Sequence, residues 1–192
     1  LHLVYYLNVC RIGRLCGIYF ADSTKLAVCH NRRIHSNKVF KGKAARGKTS
    51  TGWFYGLKLF LVINAFGEIM NAFLTMANVA DNHLVTMIKL FSKLKGWAFA
   101  DKGFINQKAV EELLSKGLHL ITGIRRNMKN KLVLMEQKIL LQKRGVIESV
   151  NDILKTVCDI EHTRHRSPIN ALVNLYAGLC SYTFLDRLPS IF

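Results

Sequence analysis

GIYFAD at residues 17–22 and GWAFAD at residues 96–101 decide how this sequence is read. Each is a short apolar run ending in Phe-Ala-Asp. Runs this short and this continuously apolar predict buried strands. Side chains alternate along a strand, so Phe20 and Asp22 share a strand face, as do Phe99 and Asp101. Two such strands side by side would place two carboxylates together at neighbouring strand ends. Like charges so placed need a cation, and hard oxygen donors with room for water suit Mg²⁺ or Mn²⁺. The plainer alternative is that each Asp starts a turn or caps a helix, a common use of Asp after a strand. Ser23 and Thr24 are read as turn-formers that close the first run, and Lys102-Gly103 follow the second.

The flanking sequence supplies further elements. Residues 30–52 carry many Lys, Arg and Gly with little periodicity, which predicts a basic loop. WFYGLKLFLVIN (53–64) and EIMNAFLTMANV (68–79) flank Ala65-Phe66-Gly67 and predict an antiparallel hairpin. Residues 82–94 have helical spacing. A helix over 107–116 is capped by Asn106 and stopped by Gly117, and LHLITGI (118–124) is a further strand. A basic stretch, Arg125 to Lys131, leads into a long helical region through about 158. A last helix starts at Ser167 with Pro168 in its first turn. This order predicts an α/β domain, a mixed sheet flanked by helices, with no internal boundary across 1–192.

Charge narrows the function. Lys and Arg number 28 against 12 Asp and Glu, a net charge of +16 over 192 residues. That excess implies a polyanionic partner, and its spread along the chain favours nucleic acid over a membrane surface. The apolar opening LHLVYYLNVC has neither a basic n-region nor a small-residue cleavage site. The longest uncharged run, Ser167 to Leu185, contains Pro168 and several polar residues, which suits a buried helix. Five Cys at irregular spacing are expected to be reduced, in the cytoplasm. The chain begins with Leu, so a fragment of a longer reading frame is expected.

A third acid belongs to KRGVIESVNDILK. Val146, Ile147, Val150, Ile153, Leu154 and Val157 form an apolar side, and Arg144, Glu148, Asn151 and Lys155 line the other. Such a stripe is either a solvated face with ion pairing four residues apart or a carboxylate flanked by cations where phosphates bind. Cys158, His162 and His165, like Cys29, His30 and His35, lack the spacing of a zinc site. The basic loop with Arg32, Arg33, Lys41 and Lys48 reads as phosphate-contacting. Trp53 and Phe54 could stack on an unpaired base beside the site, but aromatics in such a run are expected to pack in the core.

DSTKLAVCHNRR (22–33), KVFKGKAARGKTSTGWFYGLKL (38–59), ADKGF (100–104) and RGVIESVND…HTRHRSPINALVNLYAGL (144–179) together resemble bacterial insertion-sequence transposases of the DDE type. The resemblance covers nearly the whole chain. It implies a ribonuclease H-like fold, as in retroviral integrases, in which two Asp and one Glu hold two divalent metal ions, Mg²⁺ or Mn²⁺. Asp22, Asp101 and Glu148 fall on those three acids. Related enzymes flank the Glu with a Tyr, an Arg and a Lys. Arg144 and Lys155 match that pattern, while Leu141 stands where the Tyr would be. Ala100, Phe60 and Met76-Ala77 replace the usual Gly, His and Pro-Gly.

The implied activity is metal-dependent phosphodiester cleavage and strand transfer at insertion-sequence ends. DNA, as transposon end and target, is the implied partner, and a homodimer is compatible with it. No membrane and no small-molecule cofactor are expected. Lys102, Arg144 and Lys155 would hold phosphates, with Arg32, Arg33, Lys41 and Lys48 along the DNA backbone. Similar transposases carry a helical end-recognising region before the first Asp. Residues 1–16 are read as a remnant of it, so this chain alone is expected to lack end-specific cleavage. The rival readings are a non-catalytic DNA-binding remnant and a simple metal-dependent nuclease.

Overall fold

The two Phe-Ala-Asp strands lie side by side. In the computed structural model, which describes residues 2–123, 134–162 and 165–192, β1 (Ile18–Cys29) and β5 (Gly96–Ala100) pair in parallel, with Phe20 opposite Phe99 and Ala21 opposite Ala100. The two Phe rings stack with centroids 5.7 Å apart, which adds to the register the backbone sets. The basic stretch Arg125 to Lys131 lies outside the described residues.

Around this pair stand β2 (Ala45–Thr49), β3 (Gly52–Asn64), β4 (Ile69–Met76) and β6 (Leu118–Thr122). The strand order is β2-β3-β1-β5-β6, with β4 also on β3. Strands β2 and β4 share the outer edge of β3, opposite residues 52–56 and 57–63 respectively. β3 runs antiparallel to β1, whereas β5 and β6 are parallel. This is the mixed sheet flanked by helices that the sequence predicts.

Helices α1 (His2–Val9), α5 (Gly145–Thr156) and α6 (Pro168–Tyr182) pack on one face of the sheet. There Phe20, Leu59, Leu61, Ile63 and Phe99 meet Ile147, Val150, Leu154, Leu175 and Leu179. Helices α2 (Leu84–Leu90) and α3 (Gln107–Ser115) cover the other face, where Tyr19, Ala21, Phe60, Val62 and Ala98 meet Met87, Leu90, Ala109 and Leu113. Period-two alternation thus feeds both cores from the same strands. The short helix α4 (Met135–Gln142) precedes α5.

Several caps match the sequence. Asn106 accepts from the Ala109 N–H, and Ser167 accepts from the Asn170 N–H. The hairpin turn needs Gly67, whose φ of +78° L-residues rarely adopt and whose Cα faces the Pro189 carbonyl. Tyr182 clamps that turn by donating its hydroxyl to the Gly67 carbonyl at 2.7 Å.

Three expectations need correction. β1 continues through Ser23 and Thr24 to Cys29, because β3 offers it a long antiparallel partner. The basic loop contains a strand, β2, whose Arg46 and Lys48 are exposed on an edge, where charge is the normal occupant. The helical region before residue 158 is two helices, broken between Gln142 and Gly145.

Candidate active site

Asp22 sits within β1, not at its end, so it neither starts a turn nor caps a helix. It has the parity of Phe20 and therefore faces α5. Asp101 follows β5 directly and precedes a 3₁₀ turn over Lys102–Phe104, to which its side chain gives no capping hydrogen bond. The register that sets Ala21 opposite Ala100 brings Asp22 next to Asp101. The turn and cap reading is thereby removed for Asp22, whereas Asp101 does start a turn, its carbonyl accepting from the Phe104 N–H at 3.0 Å while its side chain stays out of the cap.

The surroundings of Asp22 are unusual for a carboxylate. Burial pushes its pKa up to about 6, opposed by a hydrogen bond from the Ser23 backbone N–H and by the charge of Arg144. The nearby charges of Asp81 and Asp101 push it further up. Asn151, on α5, donates its Nδ2 to Asp22 Oδ2 at 3.0 Å. Its own Oδ1 is buried and has no hydrogen-bond partner among the described residues. Neither Asp22 nor Asp101 has an ion-pair partner there. Two carboxylates and an orphaned amide oxygen form a hard oxygen donor set, which fits Mg²⁺ or Mn²⁺.

Glu148 lies one turn before Asn151 on the same stripe of α5. Its carboxylate pairs with Arg144 Nη2 at 3.0 Å, and its side chain is 61% exposed. Among the described residues, no three His, Cys, Asp or Glu side chains are grouped closely enough to hold one ion. Lys155 is engaged with Glu161 Oε2 at 2.9 Å, while Glu161 Oε1 accepts from the Ala27 N–H beside the irregularity in β1. Lys102 is exposed next to Asp101, and its side chain passes Gly123.

The remaining cations stand apart from this centre. Arg32 and Arg33 occupy a 3₁₀ turn after β1, Lys41 is exposed in the following loop, and Lys48 is exposed on β2. His30, Arg33, Lys38 and His165 line a cavity of about 450 Å³ with no acidic side chain in its wall among the described residues. The His162 and His165 rings lie 3.7 Å apart, and burial together with His162 lowers the His165 pKa.

Asp81 is a further acid, one that no sequence motif marks. Its Oδ1 accepts from Ser23 Oγ at 2.7 Å and pairs with Lys58 Nζ at 3.0 Å, and Lys58 also donates to the Val79 carbonyl at 2.8 Å. Ser23 and Lys58 have the parity of Ala21 and Phe60, so this cluster lies on the opposite face of the sheet from Asp22. The bare Gly103 Cα lets the turn after Asp101 approach Asp81, since a Cβ there would stand 3.1 Å from Asp81 Oδ2. The scarcity of acids is the only signal the sequence offers for it, because Ser23 and Lys58 are distant along the chain.

The family described as Transposase DDE domain matches residues 12–168. A comparison with curated proteins finds no match. Among solved structures, the chain is similar to the piggyBac transposase in a synaptic complex with hairpin DNA. That match has a TM-score of 0.54 at 10% identity and covers 88% of this chain and 47% of the other. A simian T-cell lymphotropic virus intasome chain matches at TM-score 0.48 and 14% identity, covering 93% of this chain and 52% of the other. The catalytic core domain of BIV integrase matches at TM-score 0.44 and 12% identity, covering 86% and 82%. The chain thus spans about half the length of the first two, and at these identities the likeness is one of fold.

Proposed function

This chain belongs to the Transposase DDE domain family, and from that premise we propose that it is the catalytic domain of a DNA transposase, cutting phosphodiesters at insertion-sequence ends and joining the freed 3′-hydroxyl to target DNA. The observation that carries the proposal is the parallel register of β1 and β5, which sets Asp22 beside Asp101, neither of them in an ion pair among the described residues. The piggyBac structure holds hairpin DNA, which supports DNA as the substrate here.

The family works with divalent metal ions. Asp22 and Asp101 would be the principal ligands, with Asn151 Oδ1 available beside them and Glu148 completing the set on release from Arg144. Bound there as a pair, Mg²⁺ or Mn²⁺ would activate the attacking oxygen and offset charge on the phosphate. The chain's own residues do the rest. The Asn151 amide and the Ser23 N–H orient the Asp22 carboxylate, and a cation nearby favours its ionised form. Arg144 would trade Glu148 for a phosphate oxygen, since its charge already acts on Asp22 while it holds Glu148. Lys102 and Lys155 would add phosphate contacts on either side. Arg32, Arg33, Lys41 and Lys48 would follow the DNA backbone farther out.

The test is nicking of supercoiled DNA with Mn²⁺ or Mg²⁺. Cleavage that disappears with chelator and in both Asp22→Asn and Asp101→Asn supports the proposal. Cleavage unaffected by either substitution contradicts it.

A further inference from the structure

Trp53 departs from the pattern of its strand. The residues after it in β3, Phe54 and Tyr55, are buried, whereas Trp53 is 62% exposed, contrary to the core packing expected of it. A single exposed aromatic is ordinary on a protein surface; what distinguishes Trp53 is the company of cations on its face of the sheet. Its position is fixed from below. Asn31 Nδ2 donates to the Trp53 carbonyl at 2.7 Å, and β2 pairs Lys48 directly opposite. Lys48 Nζ lies 5.7 Å from the ring centroid. Arg46, two residues before Lys48, is exposed on the same face of the sheet. Neither cation has an ion-pair partner among the described residues.

Trp53 also lies on the Asp22 face. It has the parity of Leu61, which pairs with Asp22, and it stands eight residues before Leu61 along β3. At the rise of a strand that is about 26 Å from the carboxylates, the length of roughly eight nucleotides at 3.4 Å each. The ring is therefore too remote to meet a base at the cleaved bond.

We propose that Trp53 is a stacking platform for an unpaired base of the bound DNA, roughly eight nucleotides from the reacting phosphate, with Arg46 and Lys48 holding the phosphates beside that base. The proposal rests on the DNA-cleaving function inferred above and adds a second contact at the far end of the sheet. An indole with one lysine over its ring and a second cation on the same face of the sheet suits a base and its phosphate together. Stacking requires a free base face, so the preference is for single-stranded or locally opened DNA over a closed duplex.

The test uses the full chain and two fluorescein-labelled probes, a 20-nucleotide oligothymidine and a blunt 20-base-pair duplex, titrated at several salt concentrations. Trp53→Thr, which keeps strand propensity, should weaken oligothymidine binding about five- to a hundredfold. The slope of log affinity against log salt should not change, because stacking releases no counterions. Trp53→Tyr should restore most of the loss, and duplex binding should change by less than about twofold, consistent with a stacking contact. Tryptophan fluorescence should be quenched by oligothymidine in the parent but not in Trp53→Tyr, in which the half-buried Trp97 remains. Equal losses on both probes, a changed salt slope, or no loss at all would overturn the stacking role while leaving the cleavage function standing. A parent chain that binds neither probe would overturn both.

Discussion

Two aspartates back to back across one sheet receive opposite treatment. Asp81, on the α2–α3 face, is neutralised, since Lys58 lies 3.0 Å from its Oδ1 with only 11% of the lysine side chain exposed, and Ser23 donates to the same oxygen. Asp22, on the α5 face, is half-buried beside Asp101, accepts hydrogen bonds from a neutral amide and a backbone N–H, and feels the Arg144 charge without an ion pair to it. A carboxylate that serves the fold is given its cation by the fold. One that is desolvated and left without a paired cation costs stability, and the missing ion pair is the feature expected where an external cation binds.

The comparison is easiest to break with cleavage itself. Asp22→Asn and Asp101→Asn should each reduce metal-dependent nicking by more than about a hundredfold, beyond the range of losses seen when only an outer-sphere partner is removed. Asp81→Asn, which lacks a face toward the substrate, should reduce it by about tenfold or less, in the range of a supporting contact. An Asp81 effect as large as that of Asp22 would erase the distinction.

Stability should then move in opposite directions. Asp81→Asn strands the Lys58 ammonium in a largely buried place and should cost roughly 2–3 kcal/mol, read as a lower midpoint in urea. Asp22→Asn removes a desolvated charge that has no ion-pair partner and should stabilise the metal-free protein at pH 7.5 by about 1–3 kcal/mol. The pH dependence fixes the sign. The Asp22 carboxyl titrates near 3.8 when unfolded and at about 6 when folded, so the folded state holds the extra proton between those values. Stability of the chelated parent should therefore fall as pH rises from about 4 to about 6, relative to Asp22→Asn. Parallel curves for the two proteins would mean that burial does not strain Asp22.

The smallest effect concerns cations distant from both aspartates. Replacing Arg32, Arg33, Lys41 and Lys48 with Ala should flatten the salt dependence of duplex binding by about one unit of slope for each phosphate no longer neutralised. An unchanged slope would make that surface merely solvated.

The strands that carry the two candidate ligands were legible because each is an apolar run whose alternation fixes the face of its Asp. The hairpin, α3 and α6 were legible through their turn and cap residues. β2 was hidden because Ala45-Arg46-Gly47-Lys48-Thr49 has no apolar alternation, and an edge strand needs none. Ser23 and Thr24 looked like turn-formers because their partner, β3, lies more than thirty residues away. Asn151 was visible in the polar stripe, but its bond to Asp22 spans 129 residues and no local pattern encodes it. Asp81 was opaque for the same reason, since its role is defined by Ser23 and Lys58. Trp53 misled because its neighbours Phe54 and Tyr55 are core residues and the strand edge that exposes it is set by β2.

Calorimetric titration with Mn²⁺ tests most directly whether the unneutralised pair is a metal site. The parent chain should bind Mn²⁺, Asp22→Asn and Asp101→Asn should each abolish the heat, and Asp81→Asn, folded at the temperature used, should retain it. Undiminished Mn²⁺ binding in Asp22→Asn, or no binding in the parent, would contradict the account.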